Sequence, residues 1–521
     1  MEDIVIRGGM IADGTGKPAW KGDVAVREGR ITAAGEDLSG LQARKILDAE
    51  GCIVAPGFID SHAHSDTTFL LDGSSASKLY QGITTEVSGQ CGGSPFPALE
   101  KYCRIDDHEW ICSSFDEFVK RFEQGGYSMA VNQAMLTGHG SLRAGVIGYE
   151  DRPVTRDEME TMKRLLRADL EAGAWGMSLG LEYAPGFFAD TDELSELASV
   201  VREYDGLVPC HMRSEGLHID EAIDELAEIG RRSGARVHVS HLKLDNYKVH
   251  GRAAHVWEKI ESVKRSGVRI SADMYPYTAS CTTLTIRCPR WSQDGGDEAT
   301  AAALQGPRRE EIIEGIRTHY FNAERAETCL ICNDAGMWPQ IVGKTLRYVA
   351  EEILHTKDYA RAAADIIVRT KGHAWCIFFV MSEEDMLYFL SQDTGIGSDG
   401  RAFSGDPAKV PCRPHPRYYG TVPEFFRLAR ERKICSVEEA VRRVTSKPAD
   451  MIGLKDRGRI REGMMADITV FDPLTIRPRA EYLDPIRLSE GVRHVIVNGA
   501  LAMEEGVQTE IRAGRFLRKR P

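Results

Sequence analysis

The chain has 521 residues, 42% of them apolar and 28% charged, with a net charge of -12 at neutral pH. That length suits a large catalytic domain with a smaller companion, and the composition argues against extensive disorder. The acidic balance argues against a nucleic-acid surface, which needs clustered Lys and Arg; the one basic run, Arg512, Arg515, Arg518, Lys519 and Arg520, is read as a solvated tail.

Met1 to Gly9 carries neither a basic segment nor a long apolar one, so no secretory signal is expected. No stretch approaches the roughly 18 apolar residues of a membrane span. The 12 cysteines follow no repeated spacing. The expectation is a cytoplasmic protein with reduced thiols and no membrane partner.

The opening segment predicts short β hairpins, with strands at 3–7, 23–27 and 31–34 broken by Gly8-Gly9 and by the turn Glu28-Gly29-Arg30. The far end reads similarly, with strands at 467–471 and 492–497 and a turn at Asn498-Gly499. Two β-rich ends can pair into one small β-sandwich domain, 1–55 with 455–521, into which the middle is inserted. That middle, 56–454, alternates candidate strands (53–60, 84–87, 176–179, 207–210, 236–240, 270–273, 395–398) with helical segments such as 156–172, 190–204 and 219–233. Repeated βα units of this spacing predict an α/β fold, a (β/α)8 barrel. From 282 to 345 the pattern breaks. This stretch is expected to be a lid-like insertion over the barrel mouth, with Trp291 and Trp338 placed to cover a pocket.

The strongest chemical signal is His62-Ala63-His64, at the end of the run from Pro56 to Asp60. Residues i and i+2 of a strand point the same way, so both imidazoles can face one metal. Alone, such a pair reads equally well as two polar loop residues. Its position at the end of a barrel strand, where this fold keeps its catalytic groups, favours the metal. His211 follows 207–210 and His241 follows 236–240, at the same place in the βα pattern, which makes two plain core histidines the weaker explanation. Asp399, after 395–398, can take a proton from water activated at such a centre, or can simply cap a helix. His238 is read as structural.

These residues resemble the amidohydrolase superfamily and, within it, the N-acyl-D-amino-acid deacylases (D-aminoacylases). The resemblance is carried by Gly89-Gln90-Cys91-Gly92-Gly93-Ser94-Pro95, Gly138-His139-Gly140-Ser141-Leu142-Arg143, Gly180-Leu181-Glu182-Tyr183-Ala184-Pro185-Gly186 and His211-Met212-Arg213-Ser214-Glu215-Gly216. It continues through Ser240-His241-Leu242-Lys243, Asp273-Met274-Tyr275-Pro276-Tyr277, Gly397-Ser398-Asp399-Gly400 and His415-Pro416-Arg417, in order and over nearly the whole chain. It implies hydrolysis of the amide bond of N-acyl-D-amino acids, with a small-molecule substrate as partner and Zn2+ as cofactor. By the same resemblance Cys91, His211 and His241 hold the tight metal, His62 and His64 line a second, weaker site, and Asp399 is the general base. A thiolate ligand suits zinc and takes the place of the carboxylated lysine of many relatives. The resemblance also implies that Lys243 and Tyr275 hold the substrate α-carboxylate. Arg287 is a second cation for that role or a solvated one, and Tyr183 borders the pocket. Gln90 and Gly93 depart from the loop pattern, which commonly has Asn before the cysteine and an aromatic after the glycine.

Two other readings stand beside this one. A cyclic-amide hydrolase of the hydantoinase or dihydroorotase kind usually needs the bridging carboxylated lysine, and Cys91 argues against it. A non-catalytic scaffold on the same fold would have lost ligands and base, and here all are present.

Overall fold

The computed structural model describes residues 1–97 and 112–520. The two ends of the chain meet in one nine-stranded sheet. Its order runs Val507–Gln508, Ala500–Glu504, Val492–Val497, Ile468–Phe471, Ile53–Pro56, Glu2–Ile11, Trp20–Arg27 and Arg30–Gly35, and Ala43–Asp48 also pairs with Glu2–Ile11. The seam between the ends is antiparallel, with Ile468 opposite Pro56 and Phe471 opposite Ile53. Alternate residues, including Ile4, Ile6, Val24, Val26, Val54, Ile468 and Val470, share one apolar core, as the period-two pattern requires. At the first predicted turn, Glu28 and Gly29 both adopt positive φ, 50° and 77°, the backbone of a tight hairpin. A Cβ on Gly499 would lie 2.4 Å from the Gly29 Cα, so the two turns pack back to back.

Eight parallel strands occupy the middle. They are β1 (Phe58–Asp60), β2 (Ile83–Ser88), β3 (Asn132–Met135, continued as Thr137–Gly138), β4 (Met177–Gly180), β5 (Leu207–His211), β6 (Arg236–Val239), β7 (Ile270–Met274) and β8 (Gly395–Ile396). Each pairs in parallel with the next in sequence. Just beyond β8, Gly400 bridges to Ala63 just beyond β1. There Asp399 N donates to His62 O at 2.8 Å and His64 N to Gly400 O at 3.0 Å. Helices Arg156–Glu171, Thr191–Glu203 and Ile219–Ser233 stand between successive strands where the sequence predicts them. The first has a complete capping box, Thr155 with Glu158, and the second is capped by Asp190. β3 is the strand that the apolar pattern hides. Its first residues are polar, and both are buried by specific partners: Asn132 by Asp467 and Asn498, Gln133 by Glu86.

Between β7 and β8 lies a separate antiparallel sheet of Ser280–Thr283, Trp375–Phe378 and Cys329–Asn333, in that order. Its helices include Gly296–Ala303, Arg309–Arg317 and Tyr359–Arg369, and it has its own core around Leu284, Ile312, Ile331, Ile366 and Phe378. The unit extends past 345, because its central strand is the last of the three in the chain. Trp338 is buried in this core, and Trp291 lies under the Arg308 guanidinium, 3.6 Å from the ring centroid. Neither lines the cavity described below, so the covering role expected of these two tryptophans is not theirs. Among the described residues no helix is long and apolar enough to cross a membrane.

Under the strand ends sits a buried ion cluster. Lys78 Nζ lies 2.8 Å from Asp60 Oδ2 and 3.1 Å from Glu86 Oε1, and it donates to Ser398 Oγ at 2.8 Å. Asp60 Oδ1 in turn accepts from Ser398 N at 2.8 Å and from His62 N at 3.2 Å. Burial pulls the lysine pKa down, but Asp60 and Glu86 outweigh it, so Lys78 stays charged above its ordinary range. Removing one partner of such a cluster leaves uncompensated buried charge. Lys78→Met should therefore lower unfolding free energy by about 3–5 kcal/mol, read by urea denaturation. A loss under about 1 kcal/mol would show that the carboxylates are rehydrated or protonated at little cost.

Candidate metal centre

The chemistry-bearing residues converge at the C-terminal ends of the parallel strands, where this kind of sheet exposes its loops. His62 and His64 follow β1, Cys91 follows β2, His211 ends β5, His241 follows β6 and Asp399 follows β8. Three of them hold left-handed backbone: Cys91 at φ 51°, His241 at 38° and Asp399 at 48°. Such conformations cost of order 1–3 kcal/mol each in a non-glycine residue and persist only when the surroundings fix them. Here His241 N donates to Asp273 Oδ1 at 2.6 Å, and the Asp399 N bond to His62 O is the strand-end bond already described. The cysteine loop rests directly on the end of β4: a Cβ on Gly180 would lie 2.0 Å from Cys91 O.

Cys91 Sγ lies 3.3 Å from both His62 Nε2 and His241 Nε2. His211 Nδ1 is 3.1 Å from His241 Nε2, and His64 Nε2 is 3.1 Å from Asp399 Oδ1. The donor atoms of Cys91, His211 and His241 all lie within 4.8 Å of one another, and so do those of His62, His64, Cys91 and Asp399. The thiol belongs to both groups. His62 Nδ1 is buried with no partner. A thiol among imidazoles, so close that they cannot all carry protons, fits a divalent metal of zinc type. Burial, then the Asp399 and Glu215 charges, push the Cys91 thiol well above its ordinary pKa. Burial and the neighbouring His241 hold His62 neutral, well below the usual imidazole range. For Asp399, burial acts upward, but Arg417 and His241 outweigh it, so its carboxyl sits well below the usual range. Arg417 Nη2 is 3.0 Å from Asp399 Oδ2.

A second set of groups fixes the first. His241 Nδ1 lies 2.9 Å from Glu215 Oε1, and the other Glu215 oxygen is 2.5 Å from Lys243 Nζ. His211 Nε2 is 2.9 Å from Glu182 Oε2. Asp273 also accepts from Ser61 Oγ at 2.6 Å and lies 3.2 Å from His238 Nε2. His238 Nδ1 meets Ser271 Oγ at 2.8 Å, which gives His238 a supporting place. Glu182, Glu215, Asp273 and Arg417 are functional groups to which the sequence alone gives no role. The available signal was their chemistry: Glu215 is four residues after His211, and all four residues fall inside the motifs quoted above.

A cavity of about 820 Å³ opens over the centre, lined in part by His64, Cys91, His211, His241, Asp399 and Tyr183. The Tyr183 ring packs 4.7 Å from that of His211. Lys243 is not on this wall; its ammonium is engaged behind His241, with Glu215 and with His241 O at 3.0 Å. Tyr275 does not line this cavity either; it is buried beside it with its hydroxyl unpartnered, and Arg417, which does line it, lies 4.7 Å over the Tyr275 ring with Nε and Nη1 also unpartnered. Arg287 sits 4.4 Å over the Phe378 ring of the inserted sheet and does not line the cavity, which removes it from the group brought together here.

The model of the amidohydrolase family matches residues 45–307 and 400–502. Over 99% of its length the chain is 33% identical to N-acyl-D-glutamate deacylase of Alcaligenes xylosoxydans xylosoxydans, covering 96% of that protein. It is 32% identical to D-aminoacylase of the same organism, over 99% of this chain and 97% of the relative. The crystal structure of N-acyl-D-glutamate deacylase from Bordetella bronchiseptica, complexed with zinc and a phosphonate inhibitor that mimics the tetrahedral intermediate, matches with a TM-score of 0.83 at 32% identity, covering 99% of both chains. The segment missing from the family match, 308–399, contains most of the inserted unit. The chain belongs to the amidohydrolase family, in its D-aminoacylase branch.

Proposed function

We propose that the protein hydrolyses the amide bond of N-acyl-D-amino acids, releasing a D-amino acid and a carboxylate. The observation that carries this is a thiol-and-imidazole donor set beside one ionised carboxylate, with the Tyr275 hydroxyl and the Nε and Nη1 groups of Arg417 buried and unpartnered. In this reading β1 to β8 form a (β/α)8 barrel, 56–454. The paired ends, 1–55 with 455–521, form a β-sandwich around their own core, and the inserted unit is a lid-like subdomain. The eleven cysteines among the described residues are all free thiols, which supports a cytoplasmic setting.

Cys91, His211 and His241 are assigned to one tight Zn2+, and His62 and His64 to a second, weaker site. Zinc bound there supplies Lewis acidity toward a water and toward an amide carbonyl. Asp399, kept ionised by Arg417, takes the proton of the attacking water and returns it to the leaving nitrogen. The substrate α-carboxylate satisfies the Tyr275 hydroxyl and the free N–H groups of Arg417, with the Lys243 charge close behind; Tyr183 borders the acyl side. A hydantoin has no free carboxylate to meet these donors, so the cyclic-amide reading leaves them without a partner.

The direct test is a hydrolysis screen of N-acetyl and N-formyl D- and L-amino acids. Turnover of hydantoins without turnover of these would reject the proposal. Cys91→Ala should lose the tightly held zinc, about one ion per chain, measured by metal analysis of the purified protein; full retention would remove Cys91 from the ligand set. Asp399→Asn should keep fold and metal while kcat falls about 10²–10⁴-fold, and near-normal kcat would reduce Asp399 to a supporting group. Tyr275→Phe should lower kcat/KM about tenfold for an N-acyl-D-amino acid and much less for the matching amide, which lacks the carboxylate. Equal losses on both substrates would show that the hydroxyl does not meet that carboxylate.

A further inference from the structure

A side chamber of about 170 Å³ opens off the larger cavity and shares Cys91, Gly93, Tyr149, Tyr183 and Ala184 with it. Its walls are the cysteine loop after β2, the start of the helix His139–Val146 after β3, and the turn 180–186 after β4. Among the described residues no charged side chain lines it, and the Ser141 hydroxyl on its wall is engaged, accepting from Ser94 N at 2.9 Å and donating to Ser94 O at 2.9 Å. Several glycines here are demanded by close packing. A Cβ on Gly92 would lie 2.8 Å from Gly180 N, one on Gly140 2.8 Å from Gly92 O, and one on Gly186 2.3 Å from Gly180 O. Gly93 is different. Its φ is outside the left-handed region, and a Cβ there would meet only Gln90 O, at 3.7 Å. Gly93 N donates to Gln90 O at 3.0 Å, so the loop is closed without help from a side chain. Neither backbone nor packing requires glycine at 93, where the loop pattern commonly has an aromatic. What the missing side chain leaves is space at the junction of chamber and cavity.

We propose that this chamber takes the acyl chain of the substrate, and that Gly93 opens it to uncharged acyl groups of about six carbons rather than to acetyl alone. The assignment rests on the deacylase reading and adds to it the class of acyl group. In an N-acyl amino acid the acyl chain and the α-carbon leave the amide at opposite ends. Tyr275 follows β7, and Arg417, which comes after β8 in the chain, lies over its ring. The chamber is built from the segments after β2, β3 and β4. Because the ends of β8 and β1 are bridged, β3 and β7 are four strands apart both ways round. With the α-carboxylate at Tyr275 and Arg417 and the scissile carbonyl beside Cys91, the acyl chain is directed into the chamber. An apolar cavity of about 150 Å³ holds a ring of six carbons, so a chamber of about 170 Å³ suits a chain of that size. Burial of each methylene there favours binding, and an acyl group with its own charge finds no partner.

The test measures kcat/KM on the acetyl, butyryl and hexanoyl derivatives of D-leucine and of D-glutamate. Wild type should gain about 2- to 4-fold per added methylene from acetyl to hexanoyl, mainly through KM. Gly93→Ala, Gly93→Leu and Gly93→Phe should move the optimum stepwise to shorter chains, and in Gly93→Phe the hexanoyl-to-acetyl ratio should fall about 10- to 100-fold. A wild type that prefers acetyl and drops steeply at butyryl, or variants that lose equally on acetyl and hexanoyl, would overturn the assignment. So would a change of selectivity among D-amino-acid side chains at a fixed acyl group, which would give the chamber to that side chain. Calorimetric binding of acetate, butyrate and hexanoate to zinc-loaded wild type needs neither turnover nor a folded variant; affinity that does not rise with length would count against the chamber. Failure of wild type to hydrolyse every compound of both series would sink the deacylase reading, whereas hydrolysis without a preference for the longer chains would sink the chamber alone.

Discussion

Lys78, buried between Asp60 and Glu86, ties together parts of the chain that are far apart in sequence. Asp60 ends β1 and holds the amide of His62; Ser398, which Lys78 also reaches, immediately precedes Asp399. One ammonium therefore sets the spacing between the first histidines of the centre and its carboxylate. A buried ion cluster is a weak source of net stability, since desolvation offsets much of the attraction. Its value here is geometric: the charges are satisfied only when β1, β2 and β8 end at the same level.

Above that clasp the centre is assembled from groups that would not choose this arrangement by themselves. Three left-handed residues, a thiol shared between two donor groups and several dry imidazoles each carry a cost. The cost is met by directional bonds from residues that do not line the cavity. Asp273 holds His241 by its backbone and Glu215 holds it by its ring, while Glu182 fixes the far nitrogen of His211. Ring orientation of this kind decides which nitrogen is offered to a metal and which to a carboxylate.

The sequence made part of this visible. The strand-end positions of His62, His211, His241 and Asp399 follow from a repeated βα pattern, because period-two apolar runs mark strands and the residue after each run is placed at the sheet's edge. Cys91 was legible only through its loop's resemblance to a family, since a lone cysteine is otherwise a small buried hydrophobe. β3 was not legible at all: Asn132 and Gln133 are buried by polar partners hundreds of residues or one strand away, which no local pattern encodes. The same holds for Lys243, whose two-residue spacing from His241 suggested a cavity-facing cation. A continuing strand would have pointed it there, but His241 turns into left-handed backbone and the ammonium swings behind it to Glu215. The inserted unit runs past 345 because its central strand, Trp375–Phe378, comes after a long helical stretch and pairs with both of its earlier strands, a long-range pairing that no local pattern encodes.

The seam between Ile53–Pro56 and Ile468–Phe471 has a consequence for how the molecule comes into being. The strand that delivers His62 is preceded by one whose partner is made more than four hundred residues later, and Ile59 N itself donates to Val444 O at 2.7 Å. During synthesis the amino-terminal part of the centre leaves the ribosome long before the segments that hold it. Closing loops of that length is entropically costly before the contacts reward it. The donor set therefore has its full support only once those late segments are in place. A chain lacking the last strands would keep the ligands but lose the partner of the strand that precedes His62.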